Sequence, residues 1–144
     1  MALPDPEAGL VIACSYLWRD EALRGLEAGR KDRPCVIVLA VAQVDGRTQV
    51  TVAPVTHSPP ARPEFAVEIP QETKRRLGLD SERSWIVASD LNVFVWPGVD
   101  LRPTTRGGTT YSYGLLPGAL YRQLRDKVLA LARAGRAQAT SRTD

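Results

Sequence analysis

Short apolar runs separated by turn-forming residues cover most of the chain, a pattern typical of a mainly β protein. The first run spans residues 9–16. Two further runs, 36–44 and 48–55, flank the dipeptide Asp45-Gly46. Because Asp-Gly between apolar runs is the strongest short-range signal for a tight turn, we predict a hairpin there.

The second half of the chain contains shorter strand-like runs and two helical patterns. Residues 65–69, 84–89 and 91–96 read as short strands, with Asp90 marking a break. Pro70 favours the start of a helix over residues 70–77, which Gly78 would end. After Pro117, apolar residues recur every three or four positions and predict an amphipathic C-terminal helix: Leu120, Leu124, Val128 and Leu131.

The remaining segments lack a clear apolar period. We expect residues 1–8 to form a loose arm, and 17–33 a mobile or lid-like segment with a helical turn or two. We expect 97–114 to form an exposed, flexible loop and 135–144 a frayed tail. The elements together predict one mainly β domain over residues 1–144, with a mainly antiparallel sheet. Its architecture would be a strongly bent sheet or partly open barrel, with a short internal helix and a C-terminal amphipathic helix.

Composition adds few constraints to this picture. The 144 residues carry a net charge of +3, which permits a polyanionic partner without requiring one. Cys14 and Cys35 lie in apolar runs, where they suit buried small hydrophobes better than a disulfide framework. No apolar stretch approaches the roughly 20 residues needed to cross a bilayer, so we expect a cytoplasmic protein that does not enter a membrane.

A cation and a hydroxyl mark the open end of the predicted hairpin. Arg33, followed by Pro34, precedes the first strand, and Thr56 ends the second. Since the turn folds the two strands together, the guanidinium and the hydroxyl should lie close to each other despite their separation in sequence. This pairing predicts an anion-binding site.

Several segments resemble the MazF/PemK family of toxins from toxin-antitoxin modules in order, spacing and residue type. They are Gly9-Leu10-Val11-Ile12, the run from Gly29 to Leu39, Val52-Ala53-Pro54-Val55-Thr56, and Ser84-Trp85-Ile86-Val87. The resemblance implies an SH3-like barrel, usually a homodimer. It also implies a metal-independent endoribonuclease, without a cofactor, that cuts single-stranded RNA and is silenced by a cognate antitoxin.

By this resemblance, Arg33 matches the family's catalytic arginine before proline, and Thr56 matches its catalytic threonine at a strand end. One position departs from the pattern, because Asn92 stands where many members carry a further arginine. That departure puts substrate choice and catalytic strength in question.

RNA cleaves itself when its 2′-hydroxyl is aligned on the adjacent phosphorus and the developing charge is stabilised. Arg33 suits the phosphate clamp because a guanidinium forms paired hydrogen bonds with phosphate oxygens, but its permanent charge makes it a poor proton carrier. Thr56 can donate its hydroxyl to a phosphate oxygen. His57, the only histidine, can carry a proton near neutral pH and is the third catalytic candidate. Successive strand residues face opposite sides, so Thr56 and His57 can act together only if the strand ends at Thr56.

Other polar and aromatic residues are candidates for RNA binding, each with a structural alternative. The RNA-binding candidates are Arg30, Lys31, Ser58 and Asn92. The basic run Lys74-Arg75-Arg76 could track a phosphate backbone or form a solvated helix face. Trp18, Trp85 and Trp96 could stack on bases or pack in the core, with Trp85 favoured as buried.

Three alternatives remain open from the sequence. Arg33 could be a structural cation at a strand start. The protein could be a non-catalytic toxin on the same barrel, acting by protein contact as the related gyrase poisons do. It could also be a remnant or regulator that only binds nucleic acid.

Overall fold

The computed structural model describes residues 3–16, 32–43, 45–97, 101–105, 108 and 110–141. These residues form a mainly β fold, with 42% strand and 22% helix. The described strands are β1 Leu10–Ser15, β2 Asp32–Ala42, β3 Thr48–Thr56, β4 Ala66–Glu68, β5 Trp85–Val87, β6 Asp90–Trp96, β7 Leu101–Arg102, β8 Ser112–Leu115 and β9 Gln138–Ser141. The helices are α1 Gln71–Leu77 and α2 Gly118–Arg133, with a 3₁₀ turn at Pro63–Phe65.

The described strands form a single bent sheet that does not close on itself. Its main path runs β4-β5-β3-β2-β1-β7, while β6 pairs with β3, and β8 pairs with β1. All described pairings are antiparallel except that of β6 with β9, which is parallel. The predicted mainly β, partly open fold with one internal and one C-terminal helix is confirmed.

The predicted hairpin is present as β2 and β3. Its turn contains Gly46 at φ +84°, a left-handed conformation that glycine adopts without steric cost. Near the open end the strands pair Cys35 with Pro54. Continuing this register by two residues in each strand reaches Arg33 and Thr56, so the hairpin carries them to the same end.

Two apolar clusters cover the faces of the sheet. One contains the α2 residues predicted from periodicity, and all four are buried: Leu120, Leu124, Val128 and Leu131. Burial of each such side chain stabilises the fold by roughly 1.5–3 kcal/mol. The other cluster contains Cys14 and Cys35, which are buried free thiols as expected.

Two segments predicted to lack strands contribute to the sheet. Within 97–114, β7 and β8 pair with β1, and within 135–144, β9 pairs with β6. The predictions of an exposed, flexible loop and a frayed tail were therefore wrong for the residues of these strands. Such short strands form because exposed edges of β1 and β6 offer backbone donors and acceptors, which need no apolar pattern in the partner. Gly135, at φ +70°, lets the chain turn back after α2.

The predicted lid, 17–33, falls almost wholly outside the described residues, which resume at Asp32. Among the helices of the described residues, none combines the length and the apolar character that crossing a bilayer requires.

Candidate active site

A cavity of about 1030 Å³ lies at the open end of the β2–β3 hairpin. Four residues predicted from the sequence line it: Arg33, Thr56, His57 and Ser58. Other polar groups in its wall come from α1, the segment after it, and β8: Lys74, Asp80, Ser84 and Tyr113. Residues distant in sequence thus converge on one concave surface.

Arg33 is half-buried on β2, where it pairs with Cys14 of β1. Its Nη1 lies 3.4 Å from the carbonyl oxygen of Val55, to which it donates. Because Val55 directly precedes Thr56, this contact holds the guanidinium beside the end of β3. The sequence-based expectation that Arg33 and Thr56 converge agrees with this geometry.

The end of β3 allows consecutive residues to face the same cavity. The strand ends at Thr56, and His57 and Ser58 follow in a bend. The backbone N–H of Ser58 donates to Oγ1 of Thr56 at 3.2 Å. Since this oxygen accepts that bond, the threonine hydroxyl proton remains available to a bound acceptor such as a phosphate oxygen.

His57 contacts an acidic pair on the segment after α1. Its Nε2 lies 2.8 Å from Oδ2 of Asp80 and 3.8 Å from Oε2 of Glu82. The other carboxylate oxygen of Asp80 lies 2.6 Å from Nζ of Lys74. The hydrogen bond from Lys74 holds the pKa of Asp80 below its usual value, and the bond from His57 adds to this effect.

Among the described residues, one cluster of side chains could offer ligand atoms to a metal ion, namely His57, Asp80 and Glu82. Potential ligand atoms of His57, Asp80 and Glu82 lie within 4.8 Å of one another, and all three residues are exposed. Lys74 already supplies a positive charge to Asp80, so a divalent ion would have to share this carboxylate with an ammonium group. The residues therefore fit a proton-transfer network better than a metal site.

Sequence reasoning missed Asp80, Ser84 and Tyr113 as cavity residues. It named Lys74 only as a member of a basic run. Only 1% of its side chain is exposed, so the alternatives of a solvated face or a phosphate track are wrong for this member of the basic run. Arg75 and Arg76 are exposed. A helical signal was present, because Lys74 stands three residues before Leu77, and residues at that spacing share a helix face.

Tyr113, on β8, also lines the cavity. It is half-buried, and burial raises the pKa of its hydroxyl above the usual value, so the group stays neutral. Tyr113 and Arg33 also line an adjacent cavity of about 470 Å³, together with Arg102. Arg33 therefore lines both cavities, and Arg102 adds a second guanidinium to the smaller one.

The structure does not bring all candidates to this surface. Asn92 is 2% exposed on β6, and its Nδ2 donates to the carbonyl oxygen of Leu91 at 3.1 Å. It lines neither cavity, so the position that departs from the family pattern lies in the interior.

Arg30, Lys31 and Trp18 lie outside the described residues. Trp85 is buried as favoured, and Trp96 stacks on Phe94 at a centroid distance of 6.4 Å.

Comparison of the sequence with models of known protein families found no matching family, and a search of curated proteins found no matching protein.

Proposed function

We propose that this chain is an endoribonuclease toxin of the MazF/PemK type that cleaves single-stranded RNA without a metal ion. One observation carries the proposal: Arg33, Thr56 and His57 line a single cavity. A guanidinium and a hydroxyl can stabilise charge on the phosphoryl oxygens, and an imidazole can accept the proton of the 2′-hydroxyl, so these groups can supply what transesterification of RNA needs.

In the proposed reaction, the 2′-oxygen forms a bond to the adjacent phosphorus while the bond from phosphorus to the 5′-oxygen breaks. The proton of the 2′-hydroxyl passes to His57, and a water molecule protonates the leaving 5′-oxygen. The resulting hydroxide then takes the proton from the imidazolium. The products are a 2′,3′-cyclic phosphate and a 5′-hydroxyl.

Arg33 and Thr56 would stabilise the negative charge that develops on the phosphoryl oxygens. Arg33 is half-buried, and in such surroundings its charge is less screened than that of a solvated arginine. Thr56 adds a neutral donor whose oxygen is held by the N–H of Ser58. Tyr113 also lines the cavity as a neutral hydroxyl, which donates to the carbonyl oxygen of Thr104 at 3.5 Å.

The test is cleavage of a mixed-sequence single-stranded RNA by purified protein in the presence of a chelator. Arg33→Ala should lower the rate by about 100- to 1000-fold, as loss of one oxyanion-type donor commonly does. Arg47→Ala is the matched control, because Arg47 is 62% exposed at the turn end of the same hairpin. This control should cleave at the wild-type rate and yield cyclic phosphate ends.

Equal cleavage by wild type and Arg33→Ala, or cleavage by neither, would contradict the proposal. The rival reading is a toxin that acts by protein contact or by nucleic-acid binding alone. Such a protein would impair growth on expression without generating new RNA ends, so mapping of RNA ends in expressing cells distinguishes the two.

The proposal also includes two partners. A cognate antitoxin would bind the toxin and suppress cleavage, and a second copy of the chain would form a homodimer. Light scattering on the purified chain measures its mass in solution and so tests for the homodimer. A mass close to that of one 15.8 kDa chain would contradict it.

A further inference from the structure

The imidazole of His57 is held from one side by a carboxylate that is itself fixed. Taken alone, the pair of His57 with Asp80 would be weak, because 45% and 51% of their side chains are exposed. Asp80 differs from an ordinary surface aspartate in having a buried cation behind it, namely Lys74.

Lys74 uses all three of its ammonium protons. Its Nζ lies 2.6 Å from Oδ1 of Asp80 and 2.5 Å from Oγ of Ser84, and it also donates to the backbone oxygen of Glu82. Because an ammonium has three donors and no acceptor, these contacts satisfy it fully. The buried ammonium group of Lys74 therefore holds the segment from Asp80 to Ser84 against α1.

The orientation of the Asp80 carboxylate follows from these contacts. Oδ1 accepts from both Lys74 and the backbone N–H of Glu82, the latter at 3.1 Å. Oδ2 is left to face Nε2 of His57 at 2.8 Å. An ionised carboxylate can only accept hydrogen bonds, so the proton shared with His57 must belong to Nε2.

We infer that Lys74 and Asp80 are positioning residues that fix neutral His57 as its Nε2–H tautomer and leave Nδ1 as the atom that exchanges a proton with the substrate. The second half of this inference rests on the proposed ribonuclease function. In that reaction, Nδ1 takes the 2′-hydroxyl proton, and Asp80 faces the imidazolium that forms. Glu82, at 3.8 Å, is too far from Nε2 to set the tautomer.

Asp80→Asn gives the sharpest test, because it should reverse the tautomer. Lys74 and the N–H of Glu82 both need an acceptor, so the amide oxygen of the variant would take the position of Oδ1. Its NH₂ group would then donate to Nε2, which forces the proton onto Nδ1. As His57 is the only histidine, its ring nitrogens give the only imidazole signals in a ¹⁵N long-range correlation spectrum of tag-free protein.

At a pH where the ring is neutral, wild type should show the Nε2–H pattern and Asp80→Asn the Nδ1–H pattern. RNA cleavage by the variant should fall at least about 100-fold in kcat, within the usual contribution of general acid–base catalysis. Affinity for an uncleavable 2′-deoxy analogue should stay unchanged. Asp45→Asn, at the turn end of the hairpin, should alter neither the tautomer nor kcat.

Retention of the Nε2–H tautomer by Asp80→Asn would overturn the inference, as would a reversed tautomer with unchanged cleavage. Should that variant fail to fold, the wild-type spectrum still decides, because an Nδ1–H ring in wild type contradicts the assignment. Asp80→Glu, which keeps a carboxylate, should retain the Nε2–H pattern. A wild-type protein that cleaves no RNA refutes the proposed function, whereas the tautomer result stands on its own.

Discussion

An aspartate lies beside a cation at each end of the β2–β3 hairpin, but the surroundings of the two aspartates differ. At the turn end, Asp45 pairs with Arg47 two residues later, and 55% and 62% of these side chains are exposed. At the open end, Asp80 reaches His57 from a distant segment and is held by Lys74, whose side chain is 1% exposed. The first pair supports a local turn, whereas the second joins α1 to the cavity.

This difference shows that residue type and pairing distance alone do not reveal a functional network. Both aspartates have lowered pKa values, and in both cases hydrogen bonds to the carboxylate are the largest cause. Only Asp80 is connected to a buried cation and to a cavity that contains further candidate catalytic groups.

The largest expected effect on stability is that of Lys74→Met. The variant leaves the Asp80 carboxylate, the Ser84 hydroxyl and the Glu82 carbonyl without their common donor. We expect a loss of about 3 kcal/mol in the free energy of unfolding, the low end for breaking a buried ion pair because Asp80 stays half exposed. Urea denaturation followed by circular dichroism measures it.

Arg75→Met is the matched control, since Arg75 is the exposed neighbour of Lys74 on the same helix. It should change the free energy of unfolding by less than about 0.5 kcal/mol, as is usual for surface substitutions. Similar losses in the two variants would mean that Lys74 does not anchor the segment after α1.

Much of the open end could be predicted because local chemistry determines it. Asp45-Gly46 set the turn that folds the two strands together. After a one-residue shift of the register between Ile37 and Leu39, the pairing brings Arg33 and Thr56 to one end. The position of Asp80 could not be predicted in this way. It depends on how the chain reverses after Gly78, a tertiary arrangement that no period in the sequence encodes.

The other differences between the sequence-based predictions and the structure also arise from tertiary arrangement. β7, β8 and β9 form by backbone pairing to exposed strand edges, which leaves little trace in side-chain pattern. The family resemblance predicts RNA binding at the position of Asn92, but β6 pairs on both sides, with β3 and β9, and buries this residue. Sequence pattern thus predicts strands and turns more reliably than the face or the depth of a polar residue.

A smaller effect is expected from Gly46→Ala at the turn end. Gly46 has φ +84°. Apart from its two chain neighbours, no described residue places an atom within 4 Å of where a Cβ would stand, so the cost is conformational rather than steric. We expect a loss of roughly 1–2 kcal/mol in unfolding free energy, with RNA cleavage per folded molecule unchanged. Reduced cleavage by the fully folded variant would show that the turn end contributes to the site.

The smallest effect concerns the pH dependence of stability. The pKa of Asp80 is lowered in the folded protein, so its interactions stabilise the fold above the unfolded-state pKa of about 3.9 and are lost as the pH falls through the folded-state value. Relative to wild type, Asp80→Asn should therefore lose less stability on acidification below about pH 4. We expect a difference of no more than about 1 kcal/mol, because half of the side chain is exposed to solvent.

Asp45→Asn gives the comparison at the other end of the hairpin. The pKa of Asp45 is lowered in the same direction, chiefly by the backbone N–H of Arg47, so its acid-dependent difference from wild type should have the same sign. It should be smaller, because solvent screens this local pair and no buried cation lies behind it. Urea titrations of the three proteins across the acid range measure both differences. An Asp45 effect equal to that of Asp80 would mean that Lys74 adds no stability through its carboxylate partner, and the distinction between the two ends would then rest on the cavity alone.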